Sequence, residues 1–186
     1  MKPTYFPLPL RVLHWLMAVL VLAMLLIGLG MVACVSPRHA ALVAIHKPLG
    51  AALLVLVLLR ILVRLTSRIP ALPSDMPSWQ RRAAHLSHLV LYGLLLAQPL
   101  VGWTMQSAGG YPVVLWGGVE LPALVSPSVQ LHTVLRGAHT LIAYALLATI
   151  LLHLAAALFH GLIRRDEVLP SMTGAPMPRR STGDRP

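Results

Sequence analysis

Val129-Gln-Leu-His132-Thr-Val-Leu-Arg136-Gly-Ala-His139-Thr-Leu-Ile-Ala-Tyr-Ala-Leu146-Leu-Ala-Thr-Ile-Leu-Leu-His153-Leu-Ala-Ala-Ala-Leu-Phe-His160-Gly-Leu-Ile163 is the stretch on which the fold turns. It is apolar for longer than the roughly 20 residues a membrane-spanning helix needs, so it tilts or projects from the bilayer. Four histidines and Leu146 recur every seventh position along it. Seven residues turn a helix through about 700°, some 20° short of two turns, so all five side chains share one face. From His132 to His160 the rise is about 42 Å, close to the whole bilayer with its headgroups. The outer two histidines therefore belong at the interfaces. His139 and His153 lie deeper and about 21 Å apart. That distance requires two stacked sites rather than one.

Working outward, three further stretches are long and apolar enough to span: about Leu10–Val35, Ala40–Thr66 and Arg82–Ser107. With 57% hydrophobic and only 11% charged residues among 186, the chain is an integral membrane protein. The expected fold is all-α, an antiparallel bundle of four transmembrane helices. The net charge of +10 is topological. Lys2, Arg11, Arg60, Arg64, Arg68, Arg81, Arg82, Arg164, Arg165, Arg179, Arg180 and Arg185 fall on one side, against Arg38, Lys47 and Arg136 on the other. The excess of positive charge on the inner side predicts both termini in the cytoplasm. No basic face with interleaved aromatics points to nucleic acid.

The connections differ. A tight turn lies near Ser36-Pro37-Arg38, and an extended proline-rich link runs from Ile69 to Pro77. The segment from about Ala108 to Ser128, with Tyr111, Trp116, Glu120 and two glycine pairs, is expected to fold over the outer mouth. The bundle domain is placed at residues 1–168 and a disordered cytoplasmic tail at 169–186. Cys34 is the single cysteine, which excludes a disulfide framework and a thiolate cluster. Met31-Val32-Ala33-Cys34 faintly resembles a lipoprotein cleavage site, but the apolar run before it is too long for a signal core.

Each inner histidine needs a partner at its own depth. His46, one to two turns into the second span, is the natural partner of His139; His39 is too near the turn. At the cytoplasmic end His14 competes with His85 and His88, and geometry leaves that choice open. Arg11 and Arg136 each precede a candidate histidine by three residues and share its face. Arg60 follows His46 by fourteen, on nearly the same face. Cations lining a bundle interior need anions, yet Asp75, Asp166, Glu167 and Asp184 are cytoplasmic and Glu120 is in the outer loop. Haem propionates meet that demand, so haem is favoured over a bare metal ion. Trp15 can flank a porphyrin, and Gly50, Gly102 and Gly137 can make room for one or simply pack helices. Against this stand plainer roles: a single membrane histidine is often a helix-to-helix hydrogen-bond donor, Trp15, Trp79, Trp103 and Trp116 are interfacial anchors, and His132 and His160 are interfacial. His85, His88, His160 and Arg81 form a candidate quinone headgroup site. Lys47, Arg38 and Arg136 make the outer mouth positive, which steers small anions inward, or they serve as propionate partners or loop charges.

Arg11-Val-Leu-His14-Trp15, His46-Lys47-Pro48-Leu-Gly50, Arg60-Ile-Leu-Val-Arg64-Leu65, His85-Leu-Ser-His88, His139-Thr-Leu and His153-Leu-Ala-Ala-Ala-Leu-Phe-His160 followed by Arg165-Asp166 together resemble the bacterial cytochrome b561 family of four-helix, dihaem membrane cytochromes. The likeness runs from about Arg11 to Leu169. It implies two b-type haems, each held by two histidines: His14 and His153 on the cytoplasmic side, His46 and His139 on the outer side. It also implies electron transfer in the bacterial inner membrane between haem and ubiquinone. One member is similar to a superoxide-to-ubiquinone oxidoreductase, whereas other relatives are non-catalytic anchors passing electrons from a partner dehydrogenase to quinone. The chain departs at Pro48, where a small hydroxyl residue is common, and in its outer loop. A third class, a histidine-lined metal-ion or proton transporter, predicts a colourless protein.

Overall fold

The computed structural model describes residues 3–33 and 36–176. Among the described residues four helices are long and apolar enough to cross a membrane. They are α1 (Leu8–Ala33), α2 (Pro37–Thr66), α3 (Ser78–Ala108) and α4 (Val129–Leu158), the last running on into a single π-helical turn, Phe159–Arg164. Lys2, Cys34, Arg179, Arg180, Asp184 and Arg185 lie outside the described residues. Helix ends follow local chemistry. Pro37 opens α2 at a position where its missing N–H costs nothing. The Ser128 hydroxyl accepts the Leu131 N–H at the start of α4.

Close backbone contacts join α1 to α2, α3 to α4 and, more lightly, α2 to α3. The molecule is thus two helical hairpins side by side, in which α4 stands off from both α1 and α2. Large apolar side chains such as Leu26, Val32, Leu141 and Leu152 point outward, as a lipid-facing surface requires. The core at mid-depth is small: Val21, Leu53 and Leu146, with Met24, Leu56, Leu95 and Ile150 packed around them. Leu146, the apolar member of the seven-residue ladder, fills the layer between the two inner histidines.

The outer segment closes down on the bundle as expected. It folds into a small antiparallel hairpin, β1 (Val113–Val114) against β2 (Glu120–Leu121). Gly117 and Gly118 take positive φ at its turn, where a side chain is strained. Lys47 donates to the Pro112 carbonyl at 3.1 Å and Trp103 to the Pro122 carbonyl at 3.0 Å, pinning the hairpin to α2 and α3.

The far end differs from the sequence expectation. Residues 169–176, placed there in a disordered tail, continue as the short helix α5 (Val168–Thr173) and return against α1. Composition misses this because the ordering comes from partners some 160 residues away in the chain, not from local propensity. The rest of that tail, 177–186, falls beyond the described residues.

Because Leu146 is 3% exposed and Leu141 71%, the two test the core directly. Leu146→Ala is expected to destabilise the detergent-solubilised protein by about 2–5 kcal/mol through the cavity left behind. Leu141→Ala should stay within about 0.5 kcal/mol. Thermal unfolding of the two variants side by side checks both.

Candidate functional site

Two imidazole pairs bridge the gaps where α4 stands away from its neighbours. His14 of α1 and His153 of α4 face each other with ring centres 6.2 Å apart and planes 33° from parallel. His46 of α2 and His139 of α4 repeat the same 6.2 Å separation at 68°. These are the pairings the sequence places at matched depth, with the open cytoplasmic choice now narrowed. His14 is opposite His153, but His88 also packs edge-on against His153 at 5.6 Å. His85 turns away: it is exposed and its Nδ1 bonds the Arg81 carbonyl at 2.7 Å.

Around the outer pair lies a cleft of about 1290 Å³ that reaches His46, Gln98, Gly102, Arg136 and His139. That is larger than the roughly 300–1,000 Å³ usual for a small-molecule site. Gly102 sits directly beneath the His139 ring, where a Cβ would stand 3.0 Å from Cε1. Gly28 faces His46 with 3.9 Å to spare. Gly50 instead meets Met24, and Gly137 faces open space. Of the three glycines only Gly102 lies against a paired histidine, and Gly28, which sequence reading missed, does so as well. Gln98 was also missed; its amide lies 3.1 Å from His139 Nε2. It lies one turn before Gly102 on the same helix face, a spacing that points to both.

The arginines distribute unevenly. Arg60 donates to the Leu10 carbonyl at 2.7 Å and to the Tyr92 hydroxyl at 3.1 Å. It is therefore held by neutral oxygens one turn from His14. Tyr92 follows His88 by four residues, a further signal on one helix face. Arg11 donates through Nη2 to the Thr173 carbonyl at 2.8 Å, while its Nε is buried with no partner. Arg136 is exposed and lines the outer cleft. Trp15 is tilted against His14, ring centres 5.2 Å apart.

The outer members of the ladder have other employment. His132 bonds the Met105 carbonyl at 2.9 Å and His39 the Met31 carbonyl at 3.0 Å. His160 pairs with Asp166 at 2.5 Å, and Arg164 holds both Asp75 and Asp166. The candidate group of His85, His88, His160 and Arg81 is therefore split between three different settings rather than gathered on one point.

A haem fits the two pairs by their own geometry. Imidazoles that bind one metal through facing nitrogens, at ~2 Å each, have ring centres about 6 Å apart. His14 Nδ1, His46 Nδ1, His139 Nδ1 and Gln98 Oε1 are buried without a hydrogen-bond partner, a state buried polar atoms rarely keep. Among the described residues no three His, Cys, Asp or Glu side chains converge to hold a bare ion. Two axial ligands suit a macrocycle that brings its own in-plane nitrogens.

The family model described as prokaryotic cytochrome b561 matches residues 5–175. The chain is 31% identical over 164 residues to Cytochrome b561 homolog 2 of Escherichia coli K12, covering 87% of each. It is 31% identical to Cytochrome b561 homolog 1 of the same organism, covering 73% of this chain and 74% of that one. Against the Probable superoxide oxidase CybB of Yersinia pestis it is 30% identical, covering 69% and 72%.

Asp166 takes His160 and Arg164 on one oxygen and the Val168 N–H on the other, and is 12% exposed. Asp166→Ala leaves His160 and the Val168 N–H without this partner, while Arg164 keeps Gln80 and Asp75, and should cost about 1–3 kcal/mol. Asp75, 68% exposed in its pair with Arg164, should cost at most about 1 kcal/mol on the same change. Thermal unfolding of the two variants measures the difference.

Proposed function

The chain belongs to the prokaryotic cytochrome b561 family of electron-transfer membrane proteins that bind b-type haem, and from that premise we propose that it carries two haems, one at each imidazole pair. His14 and His153 hold the cytoplasmic-side haem, His46 and His139 the outer one. The observation that supports this most is the repeat of one 6.2 Å ring separation at two depths of a single bundle. Held between two histidines, a haem would supply one-electron transfer rather than oxygen binding.

The side chains have distinct work. The four imidazoles fix the position of the two centres, about 21 Å apart along α4. Leu146, Val21 and Leu53 keep water out of the layer between them. Arg136 at the outer cleft and Arg11 and Arg60 at the inner end supply positive charge for propionates. Gly102 keeps the His139 face clear. Trp15 flanks the inner centre.

We place the chain in the bacterial inner membrane with both termini cytoplasmic, from the distribution of its basic residues. The donor side is then the outer cleft. Arg136 and Lys47 make its rim positive, which favours a small anionic reductant, and the likeness to a probable superoxide oxidase supports superoxide as that reductant. Two superoxide ions each lose one electron to become dioxygen; a ubiquinone takes both electrons with two protons to become the quinol. The quinone is placed at the cytoplasmic end. There His88, packed on His153, is the best-placed of the candidate contacts, His85 and His160 being bonded elsewhere.

Purified protein should show about two b-type haems per chain by pyridine haemochrome and reduced-minus-oxidised spectra. His46→Ala and His153→Ala should each halve that content. A colourless protein overturns the assignment. Superoxide-driven quinone reduction by the purified chain alone supports the diffusible donor, and activity that appears only with a co-purified dehydrogenase assigns the chain as an electron-passing anchor.

A further inference from the structure

Residues 167–176 take no part in either pair, yet they are tied to α1 and the residues just before it by a consistent set of bonds. The Phe6 N–H donates to the Ser171 carbonyl at 3.0 Å and Trp15 Nε1 to the Met172 carbonyl at 3.4 Å. Arg11 Nη2 donates to the Thr173 carbonyl at 2.8 Å and the Tyr5 hydroxyl to the Ala175 carbonyl at 3.3 Å. Four donors from one end of the chain thus meet four carbonyls within five residues of the other. Ser171 is 6% exposed. Gly174 sits at φ +80°, and a Cβ there would run into the Arg11 guanidinium. At its start the segment is anchored by Asp166, which binds His160, Arg164 and the Val168 N–H. Leu169 packs over Gly161, where again a Cβ would collide.

Two of the four donors belong to the turn that carries His14: Arg11 lies three residues before it, and Trp15 is next to it with its ring against the imidazole. The strap is therefore fastened to the inner rim of the His14–His153 pair. We propose that it is a specificity element, closing the inner centre to redox partners dissolved in water so that electrons leave only to an acceptor dissolved in the membrane. Resting on the dihaem reading with its quinone acceptor, the proposal adds the residues that exclude water-borne acceptors. The outer pair, by contrast, opens into a large cleft. The two ends of one bundle then select different partners: a water-borne donor outside and a lipid-borne acceptor within.

Inside-out membrane vesicles of an expressing bacterium present the cytoplasmic face to the medium. With the haems reduced by dithionite, added ferricyanide, a membrane-impermeant anion that takes one electron per ion, reports water-phase access to the inner centre. A short-chain ubiquinone reports membrane-phase access. Three chains are compared: the full chain, one ending after Pro176, and one ending after Glu167. The chain ending after Glu167 is expected to be reoxidised by ferricyanide about tenfold faster or more, as when a lid is removed. Its rate with ubiquinone should stay within about twofold. The chain ending after Pro176 should behave as the full chain does. Gly174→Val, which keeps every other residue and forces Arg11 off the strap, should raise the ferricyanide rate in the same direction and decides the matter where the shortened chain does not fold. Equal ferricyanide rates in all chains, with two haems present in their spectra, overturn the strap proposal and leave the dihaem reading intact. Absence of haem from the full chain overturns both.

Discussion

An imidazole placed in the bilayer interior cannot be satisfied by water, and the rest of this structure follows from how the bundle answers that demand. Every non-interfacial histidine of α4 has been given a second ring at its own depth, one on α1 and one on α2. Keeping those rings 6.2 Å apart prevents α4 from closing on either helix, so the bundle settles as two hairpins that meet mainly through α2 and α3. The apolar core is correspondingly thin and confined to mid-depth. The same gaps leave the Nδ1 atoms of His14, His46 and His139 buried without a hydrogen-bond partner.

How much of this was legible in the sequence depends on whether the information was one of depth or of direction. The seven-residue spacing fixes depth, since rise per residue is constant, and it correctly separated His139 and His153 into two levels and matched His46 to the outer one. Direction around a helix axis is different, because the helix rotations relative to one another come from packing. His14, His85 and His88 were equivalent by depth, and only their azimuth distinguishes them: His85 faces out, His88 touches His153 edge-on and His14 stands opposite it. The resemblance to a family supplied what the spacing lacked.

The remaining misses share one cause: they rest on contacts between residues far apart in the chain. Tyr92 and Gln98 read as ordinary positions in a membrane helix until α2 and α4 bring Arg60 and His139 against them. Arg11, placed by its spacing at a haem edge, has one guanidinium nitrogen tied to a carbonyl 162 residues away and another buried with none. The proline- and serine-rich stretch after Leu169 has the composition of a solvated tail, but composition predicts disorder only where no partner waits. Here four donors at the start of the chain are such partners. A bilayer enlarges this effect, since a polar group at the interface that finds no internal partner competes with headgroups and water on a crowded surface.

The seven-residue ladder is nearly symmetric about Leu146, so the ladder itself does not distinguish the two ends. Polarity must come from what surrounds each pair. At the outer end α2, α3 and the hairpin leave an open cleft that takes in Arg136 and Lys47, a cationic approach. At the inner end the chain doubles back, uses Arg11 and Trp15 as fasteners and locks its own turn with Asp166. The same residue type, arginine three before a paired histidine, thus lines a cleft at one end and holds the returning chain at the other. The two ends of this molecule differ in their caps rather than in their helices.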